Sequence, residues 1–191
     1  YPAPVVSQTG VPSEVEMGNN LLLSGSHMNV VSAVLFTAAE GGTAGNEAEI
    51  VSQNENEIVV KVPYVESDRA VVTFKYFNGT ENVETSSSSA PQLTVKRYEP
   101  KVTTNVFEPA NVGDVVVLEG TYLNKIDKVL LGDIECTIPL QTETVLNFVV
   151  PSSENYEDGN NTKALKISYF DGREVRTLTD AFVVKVPFVY F

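Results

Sequence analysis

The 191-residue sequence predicts an all-β protein made of two tandem β-sandwiches. Three observations predict it. First, the chain repeats itself: a shift of 95 positions lays Gly18–Gly25 over Gly113–Gly120 and runs without a gap to Phe36 over Leu131. Leu23/Leu118, Asn29/Asn124, Val34/Val129 and Leu35/Leu130 are identical in that register, and Val62-Pro63, Tyr76-Phe77-Asn78-Gly79 and Val95-Lys96 return as Val150-Pro151, Tyr169-Phe170-Asp171-Gly172 and Val184-Lys185. A period near 95 residues is too long for a solenoid unit and right for a complete small domain with its own core. Second, the apolar stretches are short, rich in Val, Ile, Leu, Phe and Tyr, and punctuated by Gly, Pro, Asn, Asp and Ser roughly every ten residues. Third, no segment keeps a helical period for long.

Taken in order, the first copy gives strands near 4–7, 20–25, 30–37, 48–53, 57–62, 70–77 and 91–97, and the second near 102–107, 115–121, 126–132, 134–138, 145–150, 164–170 and 180–186. Alternation is clearest in Glu57–Val62 and Ala164–Tyr169, where one face is apolar and the other polar, as in a half-buried antiparallel strand. Pro63 and Pro151 end strands by removing a backbone donor. Gly25 and Gly120 mark a bulge or a close backbone approach. Asn78-Gly79 and Asp171-Gly172 each follow a Tyr-Phe pair and predict tight hairpins with positive φ at both central residues. The run Thr85–Pro91 falls where the second copy has Arg176–Asp180, which makes it a loop inserted within a domain. The boundaries are 1–98 and 99–186, with 187–191 as the start of a linker or following segment. The expected cores are Leu21, Leu23, Val34, Phe36, Val60, Val62 and Phe74 in the first copy, and Val116, Leu118, Val129, Leu131, Phe148, Val150 and Ile167 in the second.

Composition excludes several classes of function. The net charge of −12 divides evenly, with 5 basic and 11 acidic side chains in residues 1–98 and 8 and 14 in 99–191. Neither half has the basic footprint needed to grip phosphates, so no nucleic-acid partner is expected. No apolar run approaches the ~18 residues needed to cross a bilayer as a helix, so direct membrane insertion is not expected. The single Cys136 rules out an internal disulfide and a Cys-based zinc site. The linker Arg97–Val102 holds one Pro and no Gly/Ser tract, which predicts a semi-rigid connection.

The order Pro109, Gly113-Asp-Val-Val-Val-Leu-Glu-Gly120-Thr-Tyr-Leu123, Ile126–Gly132, Val149-Val150-Pro151 and Tyr169–Gly172 resembles an IPT/TIG immunoglobulin-like domain of the early-set type. The first copy matches more loosely: Phe36-Thr37-Ala38 stands where Phe-Gly is usual in the family, and Pro12 to Gly18 is two residues longer than Pro109 to Gly113. Tandem acidic copies without disulfides look most like the spacer modules of surface glycan-binding lipoproteins of Bacteroides-type gut bacteria. The resemblance implies two immunoglobulin-like sandwiches at the extracellular face of an outer membrane, held by a lipid anchor outside this chain. It also implies a neighbouring domain that binds polysaccharide and, as a further partner, a protein of a surface complex.

Catalytic chemistry is sparse. His27, the only histidine, aligns with Tyr122 and reads as a surface or strand-edge residue rather than a general base. Cys136 sits in a strand pattern without a basic neighbour and reads as a small buried hydrophobe. The cluster Glu154–Asn161 has the oxygen donors of a calcium loop, but its spacing fits no EF-hand and the first copy has only Glu66-Ser67-Asp68 there. A solvated loop is expected, with no metal ligand or cofactor assigned. Asn78-Gly79-Thr80 and Asn160-Asn161-Thr162 have the N-glycosylation pattern, relevant only in a eukaryotic source. Among the aromatics, alternation places one of each Tyr-Phe pair in the core, and Tyr64 and Tyr156 are the candidates for contact with a ligand. The reading is a non-enzymatic spacer in a bacterial surface glycan-binding or adhesion protein. The alternative is a direct carbohydrate- or protein-binding module that uses loops at the sandwich ends.

Overall fold

The computed structural model describes residues 1–40, 45–86 and 89–188. Two compact units, Tyr1–Arg97 and Tyr98–Phe191, divide the chain. Both are immunoglobulin-like β-sandwiches. In unit 1 the strands are β1 (Val5–Val6), β2 (Glu14–Glu16), β3 (Asn20–Ser26), β4 (Val31–Ala38), β5 (Asn46–Gln53), β6 (Glu57–Lys61), β7 (Arg69–Phe77), β8 (Asn82–Glu84) and β9 (Gln92–Lys96). They pair in the order β1-β3-β6-β5-β4-β7-β9-β2, with β8 also on β7. Strand β5 joins the two layers: Ala48 pairs with Val34 of β4, whereas Ile50 pairs with Val60 of β6, just before a bulge.

Unit 2 has β10 (Lys101–Val102), β11 (Ala110–Asn111), β12 (Val115–Thr121), β13 (Ile126–Leu131), β14 (Ile134–Glu135), β15 (Leu140–Gln141), β16 (Val145–Val149), β17 (Gly159–Tyr169) and β18 (Glu174–Val186). One sheet runs β10-β12-β16-β15 and the other β11-β18-β17-β13-β14. All seven residues expected in the first core are buried, and so are six of the seven expected in the second. Val116 is the exception. It is half-buried, because the chain leaves the edge of β12 after Thr104 and uncovers its flank.

Several elements differ from the sequence reading, each for a physical reason. The expected strand 102–107 shrinks to β10, since the backbone turns away at Thr103 and Thr104, and 134–138 shrinks to β14. Strands β17 and β18 begin earlier than expected and form one long hairpin, so Gly159–Asn161 of the acidic cluster pair with Val184–Val186 instead of looping. In unit 1 the segment 85–91, in which 87–88 lie outside the described residues, breaks the corresponding strand into β8 and β9, both on β7. The short strands β2 and β11 pair in parallel with β9 and β18 and carry little apolar pattern of their own.

The hairpin turns resolve differently in the two units. Asp171 and Gly172 both have positive φ, at 55° and 77°, and the Arg173 N–H donates to the Phe170 carbonyl. In unit 1 only Gly79 is positive, at 104°, and the Asn78 Oδ1 accepts from the N–H groups of Thr80 and Glu81 instead. A side chain there replaces a strained backbone conformation. The alternation expected of the Tyr-Phe pairs also fails. Tyr169 and Phe170 are both buried, because Phe170 turns inward at φ 54°, while Tyr76 is half-buried and Phe77 exposed.

Each unit places a bulky residue in the left-handed conformation at the same point after its Gly: His27 at φ 58° and Tyr122 at φ 54°, each opening a short 3₁₀ turn. A glutamine side chain holds each turn. Gln53 Nε2 donates to the carbonyls of Met28 and Val31 at 3.1 Å, and Gln141 Nε2 donates to those of Leu123 and Ile126 at 2.9 and 2.7 Å. Gln141→Leu should therefore strand two partly buried carbonyls and cost about 1–3 kcal/mol, measured by urea unfolding. A loss under about 0.5 kcal/mol would show that water replaces the amide at no cost.

Candidate functional site

The sequence leaves no room for a flexible tract at the junction of the two units, and the side chains around it explain how the connecting backbone is held. In unit 1, Arg97 is mostly buried and its guanidinium donates to Asp68 Oδ1 at 3.2 Å. The next three residues belong to unit 2. The Tyr98 ring lies 4.8 Å from that of Tyr122. Arg176, on β18, donates to the Pro100 carbonyl at 2.8 Å, to Glu99 Oε2 at 3.2 Å and to the Tyr169 hydroxyl at 2.9 Å. Its guanidinium also sits 5.2 Å from the centroid of the Tyr169 ring, within cation–π range. The planar fork of arginine lets one side chain reach three acceptors on two segments, which lysine could not do in a fixed geometry. Burial raises the Tyr169 hydroxyl above its ordinary pKa, while the adjacent Arg176 opposes that shift.

The two candidate contact residues fall in different units. Tyr64 follows β6 and is half-buried. Tyr156 precedes β17 and is half-buried too, with the Lys163 ammonium 6.0 Å from its ring centroid. Its hydroxyl is buried without a hydrogen-bond partner, and burial raises its pKa. A stacking platform for a sugar needs an open ring face. Phe77 and Tyr1 are more exposed than either candidate and form an edge-to-face pair with centroids 5.5 Å apart.

His27 Nδ1 lies 2.8 Å from Glu55 Oε1, both groups being substantially exposed. Cys136 is buried, and desolvation, reinforced by Glu135 and partly offset by a backbone hydrogen bond from Leu131, pushes its thiol up to about 11. A thiol held in that form is a poor nucleophile. Around the acidic cluster, the buried Asn161 accepts from the Glu157 N–H and donates to the Glu157 carbonyl, copying a backbone pair and fixing the start of β17. Among the described residues, no three His, Cys, Asp or Glu side chains converge as a metal site would require. No helix among them is long and apolar enough to cross a membrane.

No family model matches the chain, and no curated protein matches it in sequence. Solved structures with a similar course include the SGBP-B of the mixed-linkage glucan utilization locus of Bacteroides ovatus, in complex with a heptasaccharide, at 17% identity and TM-score 0.34 over 96% of this chain and 46% of that one. The surface glycan-binding protein PbSGBP-B of Prevotella bryantii is 16% identical, with TM-score 0.36 over 93% of this chain and 41% of that one. The plexin A4 extracellular region is 15% identical, with TM-score 0.44 over 97% of this chain and 16% of that one. The chain thus spans less than half the length of any of these three proteins. Likenesses of this size carry no information about a ligand.

The junction clasp around Arg176 is the feature that sequence reasoning missed. Its signal was faint, because a single Arg in a segment read as a loop has no periodicity to mark it.

Proposed function

We propose that this chain is a non-catalytic module of a bacterial surface glycan-binding protein, two immunoglobulin-like domains of IPT/TIG, early-set type that act as a semi-rigid spacer. The observation that carries the spacer reading is the junction: Arg97 is held by Asp68 in unit 1, and Tyr98, Glu99 and Pro100 are held by Tyr122 and Arg176 in unit 2. Each of these linker residues is thus engaged within its own unit, and a linker with one Pro and no Gly/Ser tract is of the semi-rigid kind. The surface setting, the lipid anchor and the polysaccharide bound by a neighbouring domain rest on the sequence resemblance.

The spacer reading predicts a single rotational correlation time from ¹⁵N relaxation for both units. Arg176→Ala removes three hydrogen bonds to the junction and to Tyr169, and should split that value into two while leaving the circular dichroism of the fold unchanged. Independent tumbling in the unmodified chain would remove the basis for a spacer. Direct recognition of a glycan is the competing proposal, with Tyr64 and Tyr156 as its contacts. Calorimetry against a panel of plant and host polysaccharides should detect no binding by residues 1–191. Binding that is lost in Tyr64→Ala or Tyr156→Ala would instead establish the chain as a binder.

A further inference from the structure

One flank of β12 is an open strand edge. The Glu119 N–H donates to Thr104 Oγ1 and its carbonyl accepts from the Thr103 N–H, both at 2.8 Å, so these groups point away from β16. The two-residue period of a strand sends the N–H and C=O groups of Val117 and Val115 to the same side. Among the described residues no strand meets them there, because β10 pairs only with Gly120 and Thr121. The backbone instead departs at Thr104 and crosses to β11, which joins the opposite sheet. Between the departing segment and the open edge lies a groove of about 400 Å³, floored by Phe107 and Val116. This volume is within the range of pockets that hold a ligand, ~300–1,000 Å³.

The groove combines exposed aliphatic side chains with polar and negatively charged ones. Val106, Val115 and Val117 are 70%, 55% and 46% exposed. Natural edge strands usually protect themselves with lysine, proline or a bulge, and β12 has none of these between Val115 and Glu119. Glu108 and Asp114 line the groove, Glu119 follows on the same edge, and no basic side chain lines it.

We propose that this edge binds an extended segment of a partner protein by strand addition, the segment placing a β-branched or aliphatic side chain over Phe107 and Val116 and basic residues opposite Glu108 and Asp114. Unpaired N–H and C=O groups call for another backbone, and alternate side chains of an added strand reach the groove. A second copy of this chain fits poorly, since it would set these carboxylates against their own images in a molecule of net charge −12. A sugar fits poorly as well, because the groove's lining holds no aromatic ring besides Phe107, and that ring already packs against Phe182 at 6.2 Å. The inference is independent of the spacer reading.

The test is a titration of the full ¹⁵N-labelled chain with a capped KVTVTVK peptide at about 50 mM salt, where screening is weak. The Val115 and Val117 amides should shift. Glu108→Gln and Asp114→Asn, both at exposed positions, should each weaken binding roughly threefold. A twin of the peptide with alternate N-methyl groups should not bind. No shift at Val115 and Val117 up to about 2 mM peptide overturns the proposal. So does equal binding of EVTVTVE, or a concentration-dependent shift of these amides without peptide, which would identify a second copy as the occupant.

Discussion

Gly120→Ala should lower the melting temperature of unit 2 by roughly 10–20 °C, the equivalent of about 2–3 kcal/mol in a domain of this size. A Cβ at Gly120 would sit 1.9 Å from the Lys101 carbonyl oxygen and 3.0 Å from the Val102 Cα. These are backbone atoms, so no rotamer change relieves the clash. Either β10 detaches from β12, or the strand shifts and disturbs Leu118 in the core. Detachment would also loosen Pro100, the Arg176 acceptor next in the chain. Gly25→Ala should have a matching effect on unit 1, since its Cβ would lie 1.9 Å from the Val5 carbonyl oxygen. The nearby Met28 Cε at 2.5 Å could move aside, but the carbonyl could not. Separate melting transitions for the two units give the readout. A shift under about 2 °C in Gly120→Ala would mean that the β10–β12 pairing contributes almost nothing.

That close approach was legible because glycine recurs at the same point in both copies, and a side chain there meets a neighbouring backbone. The faces of the long strands were legible for a related reason: alternation in Glu57–Val62 and Ala164–Tyr169 reports directly which side is dry. What stayed hidden depends on partners distant in sequence. Val116 alternates like a core residue, yet the chain that would cover its flank leaves the edge at Thr104. The parallel strands β2 and β11 owe their conformation to β9 and β18, and the short Glu14-Val15-Glu16 has no pattern strong enough to announce it. Gln53 and Gln141 were findable, since they stand 88 positions apart, the spacing of Val62-Pro63 and Val150-Pro151. Only the fold shows that both hold a 3₁₀ turn. The candidate contacts fared differently, because nothing in a sequence tells how much of an aromatic ring stays open. Tyr156 is a polar aromatic in a turn-rich segment, yet its hydroxyl is buried and Lys163 lies near its ring.

Phe182→Ala should destabilise unit 2 by about 3–5 kcal/mol, the range for truncating a fully buried aromatic side chain. Phe182 is fully buried on β18, with the rings of Phe148 and Phe107 each 6.2 Å away. Deleting it removes the ring that links the core to the segment crossing from β10 to β11. The cavity would abut the groove beside β12, so the cost depends on whether Phe107 can fall inward. A domain is stable by only about 5–15 kcal/mol, so a loss of this size takes a large share. Hydrogen exchange isolates the effect. The most protected amides of unit 2, those of β16 and β17, should exchange several hundred-fold faster or more, and those of unit 1 should not change. Phe107→Ala should cost less, about 1–2 kcal/mol, because that ring is already half-exposed. If Phe182→Ala cost under about 1 kcal/mol, Phe107 would have collapsed into the space. The groove would then be a deformable surface, and a peptide bound there would compete with the core for the same ring.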